Sequence, residues 1–131
     1  MIALDTNVLA RVILNDDPSQ YPAARQALAG DGVLVTATVV LELIWVLRSI
    51  ASLTDDEIRD AIRVIAAWPS VTVVSSSACD EFLHLWAGGL DAEDAAHLAF
   101  VDEVKAFVTF DHALVKRAKK LGSIVVAERP R

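Results

Sequence analysis

The sequence contains one cysteine, Cys79, so no disulfide can close within the chain and packing alone must hold its core. Glycine and proline are scarce, at five and four residues, and they gather into no linker. With no internal repeat or low-complexity tract either, nothing marks a domain boundary, and a single domain over residues 1–131 is expected. Long hydrophobic runs are missing as well. The longest uncharged stretch, residues 64–79, is broken by Pro69 and by the serines at 75–77 and is too short to span a bilayer, so no membrane association is expected. Met1 leads directly into an apolar run with no basic segment or small-residue cleavage site, and together with the lone cysteine this predicts a reducing, cytoplasmic setting. Positive charge is the last shortage. Twelve Lys and Arg against eighteen Asp and Glu leave a net charge of −6, which argues against broad, nonspecific adsorption to phosphate backbones.

Apolar side chains are abundant, at 54% of the chain, which suits a sheet covered on both faces or a further surface buried against a partner. Short β-branched runs at residues 2–4, 33–35, 71–74, 107–109 and 124–126 read as buried strands. Helical patterns fill the intervals, over residues 8–14, 22–28, 38–49, 55–67, 78–86, 92–105 and 113–121. Pro22, Gly30, Thr54, Pro69, Gly88, Gly89 and Gly122 stand where those elements should begin or end. Strands separated by helices imply right-handed crossovers and a parallel sheet, giving a three-layer α/β/α domain with five strands in a Rossmann-like order, 3-2-1-4-5. Ligands of such sheets bind beyond the carboxyl ends of the strands, where the order reverses. That rule singles out Asp5, after the first strand, and Asp111, after the fourth.

Each acidic candidate also has an ordinary structural role. Asp5 and Asp111 precede helical runs and suit N-caps, because a carboxylate there accepts a free backbone N–H. Asp91 suits the N-cap of the sixth helix, and a second carboxylate three residues on, Asp94, completes a capping arrangement at the positive helix end. Asp94 itself shares a helical stripe with Leu98 and Val101, where an unpaired carboxylate is costly. Glu42 borders the apolar arc of Val39, Val40, Leu43, Val46 and Leu47, and taken alone it reads as a solvated glutamate.

Taken together, Leu4-Asp5-Thr6-Asn7-Val8-Leu9, Glu42-Leu43 in an apolar helix, Asp94-Ala95-Ala96-His97-Leu98-Ala99 and Thr109-Phe110-Asp111 resemble, in order and spacing, the successive acidic motifs of PIN-domain proteins, and of the VapC-type toxin ribonucleases in particular. The resemblance covers nearly the whole chain. His97 departs from the family pattern, which favours aliphatic or small residues after the third acid, and the overall acidity departs from what a nucleic-acid enzyme usually shows.

The resemblance implies a metal-dependent endoribonuclease in which Asp5, Glu42, Asp94 and Asp111 are catalytic and hold one or two Mg²⁺ or Mn²⁺ ions. Hard cations prefer oxygen ligands, whereas zinc would call for Cys and His. Thr6, Asn7, Asp91, His97 and Thr109 are candidates for hydrogen-bonding or orienting those carboxylates. Lys116, Arg117, Lys119 and Lys120 form a basic cluster suited to an RNA backbone, or merely a solvated face. Leu41 and Trp45, one turn apart on the Glu42 helix and outside its core-facing arc, suggest a partner surface, or packing within the chain. By resemblance the partners are RNA, a second copy in a homodimer, and a cognate antitoxin that pairs an Arg or Lys with the acidic site. Products would carry 5′-phosphate and 3′-hydroxyl ends.

Three other functions are open to such a fold: an RNA-processing nuclease with no toxin role, a phosphotransfer domain of haloacid-dehalogenase or receiver type, and a non-catalytic binding module. The phosphotransfer folds want a second Asp where Asn7 stands, or a phosphoacceptor where the serines at 75–77 stand and a Lys where Ala127 and Glu128 stand. A binding module would have lost one or more of the four acids, and all four are present.

Overall fold

The computed structural model describes residues 1–130 apart from Asp31, Val74, Ser75, Asp102 and Glu103, with Ser76 described by its backbone alone. The chain divides into two compact units, Met1–Val74 and Ser75–Arg131.

In the first unit, β1 (Ile2–Ala3), β2 (Val33–Val35) and β3 (Val71–Val73) form a parallel sheet in the order β1-β2-β3. Ile2 lies beside Val33, and Val33 beside Val71. The middle strand shows why its sequence lacks alternation. Val33 and Val35 are both fully buried, as expected of a parallel strand covered by helices. Four helices accompany the sheet: α1 (Thr6–Leu14), α2 (Tyr21–Leu28), α3 (Ala37–Ser49) and α4 (Asp55–Ala66).

Their ends are written locally. The Thr36 hydroxyl accepts the Val39 N–H at the start of α3, and Thr54 and Glu57 form a reciprocal capping box at the start of α4. Pro22 sits in the first turn of α2, where its missing N–H costs nothing, and Asn15 ends α1 in the left-handed conformation at φ 47°. Leu9, Leu28, Leu43, Ile44, Leu47 and Ile58 make the core, and the Ser70 hydroxyl donates to the Leu28 carbonyl beneath it.

In the second unit, α5 (Ser76–Ala87), α6 (Ala92–Ala99) and α7 (His112–Leu121) accompany a parallel pair, β4 (Ala106–Val108) and β5 (Val126–Glu128). Phe82, with no exposed surface, packs its ring 5.6 Å from Trp86 and 5.1 Å from Phe100. The buried Glu81 carboxylate accepts the Ile124 N–H at 2.8 Å, and Ser123 Oγ donates to the Val125 carbonyl. Among the described residues no helix is long and apolar enough to cross a membrane.

Three expectations are corrected. All the described strand pairings are parallel, and three of the four neighbour pairs in the expected order occur, in one sheet of three strands and one of two; a single five-stranded sheet in the expected order is not supported. Within its own unit β1 is only two residues long, and both are exposed. The sixth helix ends at Ala99 instead of running to 105. Extending it would gain little, since Val104 and Lys105 lie in solvent. The last strand starts at Val126 instead of 124, because the Glu81 and Ser123 bonds hold residues 123–125 in a turn.

Candidate active site

The first unit places two of the four acids at helix positions joined by a threonine. Asp5 follows β1 and is the N-cap of α1, its Oδ1 accepting the Thr6 N–H at 2.7 Å. Its second oxygen takes no bond among the described residues and is open to another ligand. Thr6, 3% exposed, turns its hydroxyl away from its own helix and donates to Glu42 Oε2 at 3.2 Å. The bond spans α1 and α3, which bury Leu9 and Leu43 respectively, so the packing of these helices fixes where the exposed Glu42 carboxylate is held. Asn7 is exposed and opens on a cleft of about 380 Å³ lined by Val8, Arg11, Gln20 and Ala23.

On α3, Trp45 is 61% exposed, as the spacing implies. Leu41 is half-buried, so the two do not form an equally exposed apolar pair.

The second unit gathers the other acids. Asp91 is the N-cap of α6 and accepts the Asp94 N–H at 2.8 Å, while Asp111 is the N-cap of α7 and accepts the Leu114 N–H at 3.0 Å. The capping roles and a ligand role are compatible, since each cap uses one carboxylate oxygen. Asp94 is half-buried on the first turn of α6, and its carboxylate takes no hydrogen bond or ion pair among the described residues. Its carboxyl is held above the usual carboxylate range, first by partial burial and then by the negative charges of Asp91 and Asp111, with His97 acting the other way and Glu93 adding the least. The neighbourhood thus carries uncompensated negative charge that a cation would neutralise.

Val101, expected on the same buried stripe as Asp94, is half-buried and lies beyond the helix. His97 is exposed and stacks on Phe107, with ring centroids 5.4 Å apart. The Thr109 hydroxyl accepts the backbone N–H of Asp111 at 3.0 Å, so it orients the residue through the main chain and not by bonding the carboxylate.

The basic cluster of α7 is divided. Lys116, Arg117 and Lys120 line one pocket with Gly88 and Leu121, and Lys119 lines another with Val115, Ala118 and Val126. Phe110 was not singled out from the sequence. It is 79% exposed and directly precedes Asp111, offering a flat face on which a nucleobase can stack. The available signal was an aromatic residue placed between a strand and an N-cap.

The donor chemistry suits a hard divalent cation, because all four acids offer carboxylate oxygen and none of Asp91, Glu93, Asp94 and Asp111 forms an ion pair among the described residues. Among the described residues, however, no group of three or more His, Cys, Asp or Glu side chains is close enough to form a ready-made metal site.

No curated protein and no solved structure matches the chain. The sequence matches the PIN domain over residues 2–120, an interval containing all four acids. This chain therefore belongs to the PIN domain family, whose fold is generally that of metal-dependent nucleases.

Proposed function

We propose that the protein is a divalent-cation-dependent endoribonuclease, the toxin of a toxin–antitoxin pair, in which Asp5, Glu42, Asp94 and Asp111 supply the oxygen ligands for one or two Mg²⁺ or Mn²⁺ ions. The observation that carries this reading is the unneutralised charge around Asp94, in a chain that matches the PIN domain across all four acids. PIN nucleases usually use divalent metal ions. A bound divalent cation lowers the pKa of water toward neutrality and offsets charge on the phosphodiester oxygens.

The chain's own groups prepare that chemistry. Asp5 and Asp111 spend one oxygen on their caps and keep one for ligation. Thr6 holds Glu42, and Asp91 fixes the first turn of α6 on which Asp94 stands. Phe110 stacks a base of single-stranded RNA next to Asp111. A homodimer is assigned to the exposed Trp45 face of α3, and the antitoxin to the acidic groups, which an Arg or Lys would block by charge-assisted hydrogen bonds.

The test is cleavage of RNA by the purified protein with Mg²⁺ or Mn²⁺, with and without chelator, for the wild type and Asp94→Asn. Cleavage by the metal-loaded wild type alone is expected. Equal activity in the variant or in chelator refutes the assignment, and expression that leaves growth unaffected while cleavage persists removes the toxin role.

A further inference from the structure

The basic residues of α7 do not behave as one face. At 100° per residue, Lys116, Arg117 and Lys120 fall within an arc of about 100°, and Lys119 lies outside it. The three together border a pocket of about 330 Å³ whose remaining wall is Gly88 and Leu121.

The turn after α5 is built around that arc. Gly89 has φ +115°, a conformation that side-chain-bearing residues rarely adopt, and its carbonyl accepts a bond from Arg117 Nη1 at 2.9 Å. A Cβ on Gly89 would lie 3.0 Å from that same nitrogen, and one on Gly88 only 2.5 Å from Leu121 Cδ2. Two adjacent glycines thus allow the backbone to approach α7 closely enough to hold the guanidinium. The bond uses one of the five guanidinium N–H groups and leaves the rest of the planar fork free. Among the described residues, none of the three cations pairs with a carboxylate. In a chain of net charge −6, this is a concentrated site of unneutralised positive charge with one member held in place in advance.

We propose that the pocket of Lys116, Arg117, Lys120 and the Gly88–Gly89 turn is a phosphate subsite for single-stranded RNA that grips a phosphodiester flanking the one being cut. The flanking position follows from the helix. Lys116 to Lys120 stand about 8 to 14 Å along α7 from Asp111, at 1.5 Å per residue. At 100° per residue Lys116 and Lys120 also stand about 140° and 180° around the helix from Asp111, so the pocket and a cation held within about 2 to 2.6 Å of the Asp111 oxygen face different sides of α7. This rests on the nuclease reading only for its choice of RNA and for the word flanking.

Binding and cleavage are therefore measured separately. The affinity of a labelled single-stranded RNA oligonucleotide is followed against salt for the wild type, Lys116→Ala, Lys120→Ala, Arg117→Ala and Lys119→Ala. Each lost phosphate contact lowers the steepness of log Kd against log salt by about 0.7. The proposal expects that decrease in the first three variants, with KM raised and kcat kept, and a wild-type slope in Lys119→Ala. Lys116→Ala and Lys120→Ala leave the Gly89 bond intact, so they decide the matter if Arg117→Ala folds poorly. An equal loss in Lys119→Ala means a diffuse basic face and overturns the pocket, as does an unchanged slope in Lys116→Ala and Lys120→Ala. Binding of an oligoglutamate peptide in place of RNA, lost in the same variants, also overturns it in favour of an acidic protein partner. If the expected slopes appear without any cleavage by the wild type, the subsite stands and the nuclease reading fails.

Discussion

Thr6 and Glu42, 36 residues apart, are tied by one hydrogen bond, in which a nearly inaccessible hydroxyl donates to an exposed carboxylate at 3.2 Å. The donor lies where it cannot rotate freely into water, so it restricts a glutamate side chain that would otherwise sample several rotamers. Thr6→Val keeps the shape and deletes the donor. Activity is expected to fall by about 10- to 100-fold, the usual consequence of removing a group that orients a metal ligand, with a larger cation requirement. Thr6→Ser is expected to restore most of it. A cation titration of cleavage rates checks this, and a serine variant as poor as the valine one would show that the methyl packing mattered and the bond did not.

Asp94 gives a pH dependence whose sign can be worked out. Its carboxyl titrates above the usual range in the folded chain, so between the unfolded and folded values the folded state binds more protons. Stability is therefore lost as pH rises through that window, and at neutral pH the full cost of the ionised group is present. Asp94 stands in the first turn of α6, where a helix end favours negative charge, whereas burial and the neighbouring acids push its carboxyl up. In chelator at pH 7, Asp94→Asn is expected to melt above the wild type while losing activity. The difference should vanish below the usual carboxylate range, where the wild-type group is protonated folded or unfolded. Adding Mg²⁺ should raise the melting temperature of the wild type far more than that of the variant. Thermal melts at the two pH values decide it, and a variant less stable at pH 7 would contradict it.

These residues show what a sequence of this kind discloses. Thr54 with Glu57, Pro22 and Gly122 mark helix ends through bonds or torsions made within a few residues, so the helix limits they govern are readable without any tertiary information. Asp5, Asp91 and Asp111 were readable as caps for the same reason. The later start of β5 was not, because it depends on Glu81 reaching a backbone N–H 43 residues away. Helical spacing already sets Lys119 apart from its neighbours, but the pocket that Lys116, Arg117 and Lys120 border needed the position of the Gly88–Gly89 turn, which no spacing within α7 supplies.

Phe82 tests how far the second unit depends on its aromatic core. Its ring is wholly inaccessible between Trp86 and Phe100, at centroid separations suited to tilted aromatic pairs. Phe82→Ala removes the transfer energy of the ring and leaves a void, a loss of about 3 to 5 kcal/mol. Phe82→Leu should cost markedly less. Urea unfolding followed by tryptophan fluorescence measures both, and an alanine variant within about 1 kcal/mol of the wild type would mean that the surrounding side chains collapse into the space.

Cys79 is 2% exposed, and burial, with a smaller effect from the adjacent Asp80, pushes its thiol up to about 11. Only the thiolate attacks a disulfide reagent or a haloacetamide, and at pH 8 about one thiol in a thousand would be ionised, against roughly a quarter for a free cysteine near 8.5. Access is restricted as well, so the two effects multiply. Native protein at pH 8 is expected to react more than about 100-fold slower than the same chain in denaturant. Because Cys79 sits on α5 one turn before Leu83, its labelling also reports opening of that helix, and Phe82→Ala should accelerate it about tenfold for each 1.4 kcal/mol of stability lost. Rapid labelling of the native wild type would show that α5 opens without global unfolding, and equal rates in the wild type and Phe82→Ala would separate that opening from the aromatic core.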